Sequence, residues 1–346
     1  MIDVIRAGVL TSVQDLGRRG YRHLGVSSGG ALDALSLEIG NRIVGNRPDA
    51  AGIEVTFGPT VLRFKHATRV AITGTDFGAT LDDEPVYSWW SLPVRAGQEL
   101  TLRAAKRGMR CYVSIAGGID VLPMLGSRST DLGACFGGLG GRALRDGDRL
   151  PVGVPQPHKG IAFSPDEPPF GVKAPAWCKF VLVDEPVRRG RHSPGLAWAV
   201  PIRVLRGPEY DSFSDAAQES VWNEEWTITP NSNRMGFRLS GTALERREKI
   251  ELLSHAVLPG TIQVPPNGQP IILMGDAQTT GGYPKIGAVI RADLWKLAQV
   301  KLNGGVRFIE TSVEEARHAL ADERQYVSQV ETAIAMHEER IARAGS

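Results

Sequence analysis

Thr261-Ile262-Gln263-Val264-Pro265-Pro266-Asn267-Gly268-Gln269-Pro270-Ile271-Ile272-Leu273-Met274 decides the fold class. No helix continues through adjacent prolines, and short β-branched runs bounded by Pro, Asn and Gly read as strands. The same pattern recurs outward from this stretch. Ile202 to Leu205, Trp226 to Thr229 and Ile250 to Leu253 are β-rich runs in the carboxyl half; Arg69 to Thr73, Gln98 to Ala105 and Arg110 to Ile115 are their counterparts in the amino half. In the last, Cys111, Val113 and Ile115 alternate with Arg110, Tyr112 and Ser114, a period that predicts one buried and one exposed face. Forty glycines and 22 prolines in 346 residues imply many turns, hence many short strands. Closed or nearly closed barrels hide that many strand edges most economically, so the fold class is mainly β, with two tandem barrels.

Ten of the 22 prolines fall between Pro151 and Pro201 and mark a connection. The expected organisation is a barrel domain with one helix over 1–155, a proline-rich connection over 156–200, a second barrel over 201–312 and a terminal helix over 313–346. The first helix is read from Leu32, Leu35, Ile39 and Ile43, with Ser27 or Ser28 as cap and Asp33 in its first turn. A short one covers about Asp293 to Val300. The tail carries a stripe of Val313, Ala316, Leu320, Val327, Val330, Ile334 and Ile341, interrupted by Glu323 and His337, which fits a helix docked on its own domain.

Composition excludes several classes of function. Forty Lys and Arg against 38 Asp and Glu leave a charge of +2, which gives no reason to expect a nucleic acid as partner. No apolar run approaches the ~20 residues that span a bilayer, and the amino terminus lacks the basic-then-apolar order of a secretory signal, so the expected compartment is the cytoplasm. Three widely spaced cysteines fit neither a disulfide framework nor a zinc site, and they read as structural thiols. Phosphate-loop, His-Glu-x-x-His and EF-hand patterns are missing, no metal is expected, and each of the seven histidines reads alone as a surface or packed residue.

Chemistry is therefore sought in three loops where glycine, hydroxyl and charge coincide. The first runs from Thr11 through Arg18 and Arg19 to Ser27-Ser28-Gly29-Gly30-Ala31-Leu32-Asp33. Arg18 can hold an oxyanion bidentately, and Ser27 and Ser28, opening a helix, would offer backbone N–H groups to an anion; the same residues also fit tight turns with capping serines. The second is Leu125-Gly126-Ser127-Arg128-Ser129-Thr130-Asp131, after Gly117-Gly118-Ile119-Asp120. Ser127, Ser129 and Thr130 around Arg128 form either a polar cup for an amide or carboxylate, or a serine-rich turn whose arginine pairs with a structural acid. The third is Met274-Gly275-Asp276-Ala277-Gln278-Thr279-Thr280-Gly281-Gly282-Tyr283-Pro284-Lys285. Asp276 and Lys285 on one folded loop can bind the N–H and the developing oxyanion of an amide, with Thr279, Thr280 and Tyr283 as substrate contacts. A salt bridge pinning the loop is the structural alternative.

Together with Thr11 to Arg18 and Asn233-Arg234-Met235-Gly236, these motifs resemble the KipA family, also called the C subunit of 5-oxoprolinase or the biotin-dependent carboxyltransferase domain, formerly allophanate hydrolase subunit 2. The resemblance covers residues 1 to 310. It implies two cyclophilin-like barrels and two partner proteins, one KipI-like (the B component of the same enzyme) and one like its A component. It further implies ATP-dependent opening of 5-oxoproline to glutamate by the assembly, the chain alone having little or no activity. ATP with Mg2+ would be shared with the partners. Homologous segments of urea carboxylase imply an alternative, transfer of CO2 from carboxybiotin to urea or a related amide. The chain has no Ala-Met-Lys-Met-like site, so biotin would arrive on another protein. A third implied role is regulatory: a KipA-type protein that antagonises a KipI-like inhibitor of a kinase. One loop departs from the pattern, Ser28-Gly29-Gly30-Ala31-Leu32-Asp33 standing where Ser-Gly-Ala-Met-Asp is commoner.

Overall fold

The computed structural model describes all residues except 106, 156–166, 179–198, 249–251 and 345–346. Two compact units divide it: Met1–Arg18 with Gly29–Leu182 and Arg324–Ser346, and Arg19–Ser28 with Val183–Glu323. Most of the 156–200 connection, and Ile250 with Glu251 of one expected strand, lie outside the described residues.

In the first unit, β1 (Ile2–Arg6), β4 (Thr60–Phe64), β6 (Thr80–Leu81), β7 (Glu84–Pro85), β9 (Glu99–Leu102) and β11 (Arg149–Leu150) form one sheet in the order β11-β1-β4-β9-β6-β7. The other holds β2 (Ser12–Gln14), β3 (Gly52–Val55), β5 (Thr68–Gly74), β8 (Trp90–Val94), β10 (Cys111–Ile115) and β12 (Phe170–Gly171) in the order β12-β8-β5-β10-β3-β2. Both contribute to one core: Val4, Leu62, Phe64 and Leu100 from one, Ile53, Val70, Ile72 and Val113 from the other. This unit is a pair of facing sheets, whereas closure into a barrel is seen in the second unit.

The alternation read in Arg110 to Ile115 gives β10 its core face, yet every residue of β10 is buried. The reason is helix α1 (Ala34–Ile43), which packs on β5 and β10 and covers the face expected to meet water. Tyr112 therefore needs a buried partner; its hydroxyl donates to Glu54 at 2.8 Å and accepts from the Asp33 amide at 2.8 Å. Asp33 is the N-cap of α1, its carboxylate accepting from the amide and hydroxyl of Ser36.

The second unit is built on a closed barrel, β13-β20-β17-β18-β15-β14-β21. Its strands are β13 (Ala199–Arg206), β14 (Glu225–Ile228), β15 (Gly236–Ser240), β17 (Thr261–Gln263), β18 (Ile271–Leu273), β20 (Lys285–Val289) and β21 (Gly305–Glu310). The opening stretch of 261–274 forms the antiparallel pair β17–β18, and β13 beside β21 in parallel closes the ring. A two-stranded ribbon of β16 (His255–Ala256) and β19 (Thr280–Gly281) stands apart from it in the pairing scheme. Helices α2 (Asp215–Asn223) and α3 (Leu294–Gln299) belong to this unit, and α4 (Val313–Ala344) ends the chain. Its early residues Ala316, Ala319 and Leu320 pack with Leu205, Ile290 and Ala292. Its later residues Val327, Val330 and Ile334 pack with Leu35, Ile39 and Ile43 in the first unit's helix-side core. His337, read as a break in the stripe, is buried and stacked on Phe170 at 4.3 Å. Among the described residues no helix is long and apolar enough to cross a membrane.

Candidate active site

The loops singled out from sequence fall into two polar clusters, one in each unit. In the first unit the centre is Asp15. Its Oδ1 accepts from the Gly17 amide at 2.7 Å, the Ser127 hydroxyl at 2.7 Å and the Ser129 hydroxyl at 2.5 Å; its Oδ2 accepts from the Arg128 amide at 2.5 Å. Thr130 donates its hydroxyl to the Val13 carbonyl at 3.0 Å. The hydroxyls expected to make a cup around Arg128 thus converge on Asp15 instead, because a buried carboxylate must be surrounded by donors. Arg128 turns outward, bonding Val121 O and Asp120 at 2.9 Å each. Arg18 is buried, donates to the Ser129 carbonyl and lies over the Phe136 ring at 4.3 Å. Gly137, at φ +72, completes this packing, since a Cβ there would collide with the Ser129 carbonyl and the Arg18 guanidinium.

Ser27 and Ser28 are not at a helix N-terminus. The helix begins at Ala34, where Asp33 already fills the capping role, and Ser28 Oγ instead accepts from Arg22 at 3.3 Å. The shift follows from local chemistry: an aspartate immediately before the helix outcompetes hydroxyls several residues upstream.

The second unit gathers the third loop. Leu273, Val257 and Ala277 form a small apolar base beneath it. Arg22 clamps it from the side, donating to the carbonyls of Val257 at 2.5 Å and Gln278 at 3.4 Å. Asp276 is buried and held bidentately by Arg234, with Nε at 2.9 Å and Nη2 at 3.1 Å. Arg234 belongs to the Asn233-Arg234-Met235-Gly236 motif, whose role sequence reading left unassigned. This bidentate bond fixes the Asp276 carboxylate.

Lys285 opens β20 and is buried, yet its ammonium has defined neighbours: the Gly281 carbonyl at 3.2 Å and His255 Nδ1 at 3.2 Å. Its backbone amide donates to Glu209 at 2.9 Å, and the same carboxylate stands 4.0 Å from His255 Nε2. Burial pulls the Lys285 amine below the ordinary lysine range, and the negative charge of Glu209 partly opposes this. An ammonium has three N–H donors; with two directed to Gly281 and His255, a third can meet a ligand oxygen. Glu209 and His255 went unrecognised in the sequence, being 76 and 30 residues from Lys285. Thr279 contributes its carbonyl to the Val257 amide at 3.0 Å, Thr280 lies exposed in β19, and Tyr283 is exposed. Tyr283 lines an 860 Å³ cavity with Leu244, Arg246, Val264, Pro265 and Pro284, a volume in the range of small-molecule pockets. Among the described residues no group of three His, Cys, Asp or Glu side chains is placed to hold a metal ion.

Residues 24–310 match the model of the carboxyltransferase domain, subdomain A and B. The chain belongs to this family. It is similar to the C subunit of the Escherichia coli 5-oxoprolinase, 45% identical over 95% of this chain and 97% of that protein. It is also 40% identical to the C subunit of the Haemophilus influenzae 5-oxoprolinase, across 95% and 97% of the two chains. Among solved structures, the K. lactis urea amidolyase matches with a TM-score of 0.81 and 29% identity over 95% of this chain, which spans only 20% of that protein. The mainly β reading agrees with this neighbour.

Proposed function

We propose that the chain is the C subunit of a 5-oxoprolinase, opening the lactam of 5-oxoproline to L-glutamate with ATP hydrolysis, together with a KipI-like partner and a partner like the A component of that enzyme. The observation that carries this reading is 45% identity running through nearly the whole length of both this chain and a protein named as the C subunit of 5-oxoprolinase. The third loop suits such a substrate. Lys285 brings a buried ammonium with an N–H to spare toward a lactam oxygen, where charge develops as the ring opens. Asp276, immobilised by Arg234, would accept from the lactam N–H. Tyr283 lines a cavity whose walls include neither Lys285 nor Asp276, and it is a further candidate contact.

ATP supplies the driving force for opening a stable amide. ATP with Mg2+ would be bound at a site shared with the partners. The carboxyltransferase reading is favoured by the urea amidolyase likeness; in it the same Lys285 and Asp276 would grip urea or a related amide, with biotin delivered on another protein.

Reconstitution separates the two. The chain mixed with its KipI-like and A-component partners is expected to release glutamate from 5-oxoproline only when ATP is present, and each component alone to release none. ATP-independent turnover, or activity only with a carboxybiotin-bearing carrier and urea, would overturn the proposal.

A further inference from the structure

His255 has the position of a connector. Lys285 is 3% exposed, whereas the His255 side chain is 48% exposed and touches the lysine through Nδ1. The titratable groups set against Lys285 are this histidine, from the β16–β19 ribbon, and Glu209, from the turn after β13. Glu209 faces the far nitrogen of the same imidazole at 4.0 Å. The imidazole is the most exposed of the three, the Glu209 side chain being 17% exposed, and its two nitrogens face the ammonium and the carboxylate, with the Leu253 carbonyl also 3.3 Å from Nδ1.

We propose that His255 is the proton exit of Lys285, allowing a buried lysine to become a free amine during the reaction. This rests on the reading of Lys285 as a working group of the 5-oxoprolinase site. At rest, the Lys285 ammonium donates to the lone pair of Nδ1. Transfer breaks the Nζ–H bond and forms Nδ1–H, leaving the electron pair on Nζ and an imidazolium on His255. Glu209 stabilises that cation by facing Nε2–H, and loss of the Nε2 proton to water returns a neutral imidazole in its other tautomer. Lys285 is then an amine facing Nδ1–H; uptake of a proton from water at Nε2 and return of the Nδ1 proton to the Nζ lone pair reset both groups. The lowered basicity of Lys285 agrees with this, since burial makes its charge easier to lose.

His255 acts through Lys285 and is a positioning and proton-transfer residue, so the test must separate that from a structural role. His255→Gln keeps volume and an acceptor but cannot titrate. In the reconstituted enzyme it is expected to lower kcat at least tenfold, to leave KM for 5-oxoproline within twofold and to abolish one limb of the pH profile. His255→Ala is expected to recover at least fivefold in kcat on adding imidazole, with rescue following the basicity of substituted imidazoles. Glu209→Gln should shift the same limb of the profile. In the isolated full chain, nitrogen-15 NMR of the Lys285 ammonium should show at least fivefold slower exchange with water in His255→Gln than in the original chain. Unchanged kcat and pH profile, a loss that imidazole does not restore, or equal exchange rates would each overturn the proposal. Failure of the unsubstituted complex to turn over 5-oxoproline would sink the functional reading instead, with the exchange measurement still deciding the proton exit.

Discussion

The Asp15 cluster and the Lys285 cluster contain the same kinds of residue and are organised in opposite ways. Around Asp15 the donors of Gly17, Ser127, Arg128 and Ser129 all end on one carboxylate. Around Lys285 a buried ammonium meets one carbonyl, one imidazole open to solvent, and has a donor left over. The first arrangement holds backbone segments more than a hundred residues apart in sequence at a single point. The second keeps a charge under tension, and a group in that condition can change its proton or its partner during a reaction.

The comparison breaks most sharply at Asp15. Asp15→Ala would leave four donors, two of them buried hydroxyls, without their acceptor, at about 3–5 kcal/mol and a melting temperature lower by roughly 10 °C. Thermal unfolding of the isolated chain measures this, and a loss below about 1 kcal/mol would show that the cluster is not a structural anchor. The contrasting substitution is Lys285→Ala. Turnover by the reconstituted complex should fall at least tenfold, about 1.4 kcal/mol in barrier, while the melting temperature stays within about 2 °C. Asp276→Ala should lose as much activity but also stability, because buried Arg234 would lose a bidentate carboxylate partner. Full activity of a Lys285→Ala, Asp276→Ala double variant would mean that the third loop is structural too.

These differences also mark how far the sequence could be read. Alternation in Cys111 to Ile115 revealed the core face of β10, because period two is a local property of the chain. It said nothing about the other face, which α1 covers from 70 residues away, so Tyr112 and Ser114 were expected in water. The Ser-Arg-Ser-Thr loop was recognisable as polar and glycine-bounded, but the direction of its hydroxyls depends on Asp15, and no local rule connects those positions. Lys285 and Asp276 were singled out through their placement after an apolar strand. His255 and Glu209 were not, since only the β16–β19 pairing and the turn before the 3-10 helix at Tyr210–Ser212 bring them to the lysine. Arg234 was visible as part of a motif and invisible as a partner. Separate motifs single out polar loops; the direction of their side chains is decided by tertiary packing.

A smaller contrast concerns acids that are fixed rather than poised. Asp293 is fully buried between Arg203 and Lys296, at 2.7 and 2.9 Å. Burial is the largest single influence on it and pushes its carboxyl up, but the hydrogen bonds and charges of Arg203 and Lys296 together outweigh burial and leave it below the ordinary value. A carboxyl depressed in the folded state adds stability that is fully present above its unfolded value of about 3.9 and is lost as the pH falls through the folded value. The stability difference between the original chain and Asp293→Asn, from urea unfolding, should hold steady from pH 7 to about pH 5 and shrink below pH 4. A difference that grows on acidification would contradict the assignment.

The smallest expected effect distinguishes Ser28 from Asp33, the two candidates for the start of α1. Asp33 accepts from the Ser36 amide and hydroxyl at 3.1 and 2.8 Å, and its own amide is held by Tyr112, so Asp33→Ala should cost about 1 kcal/mol as a lost cap. Ser28 accepts one long bond from Arg22 and is only half-buried, so Ser28→Ala should stay within about 0.5 kcal/mol. Urea midpoints of the two variants side by side decide the matter. If Ser28→Ala were the more damaging, a helix N-terminus reaching back to the serines would return as an anion site. If Asp33→Ala is, the carboxylate of Asp33 already occupies the position where an external anion would have to bind.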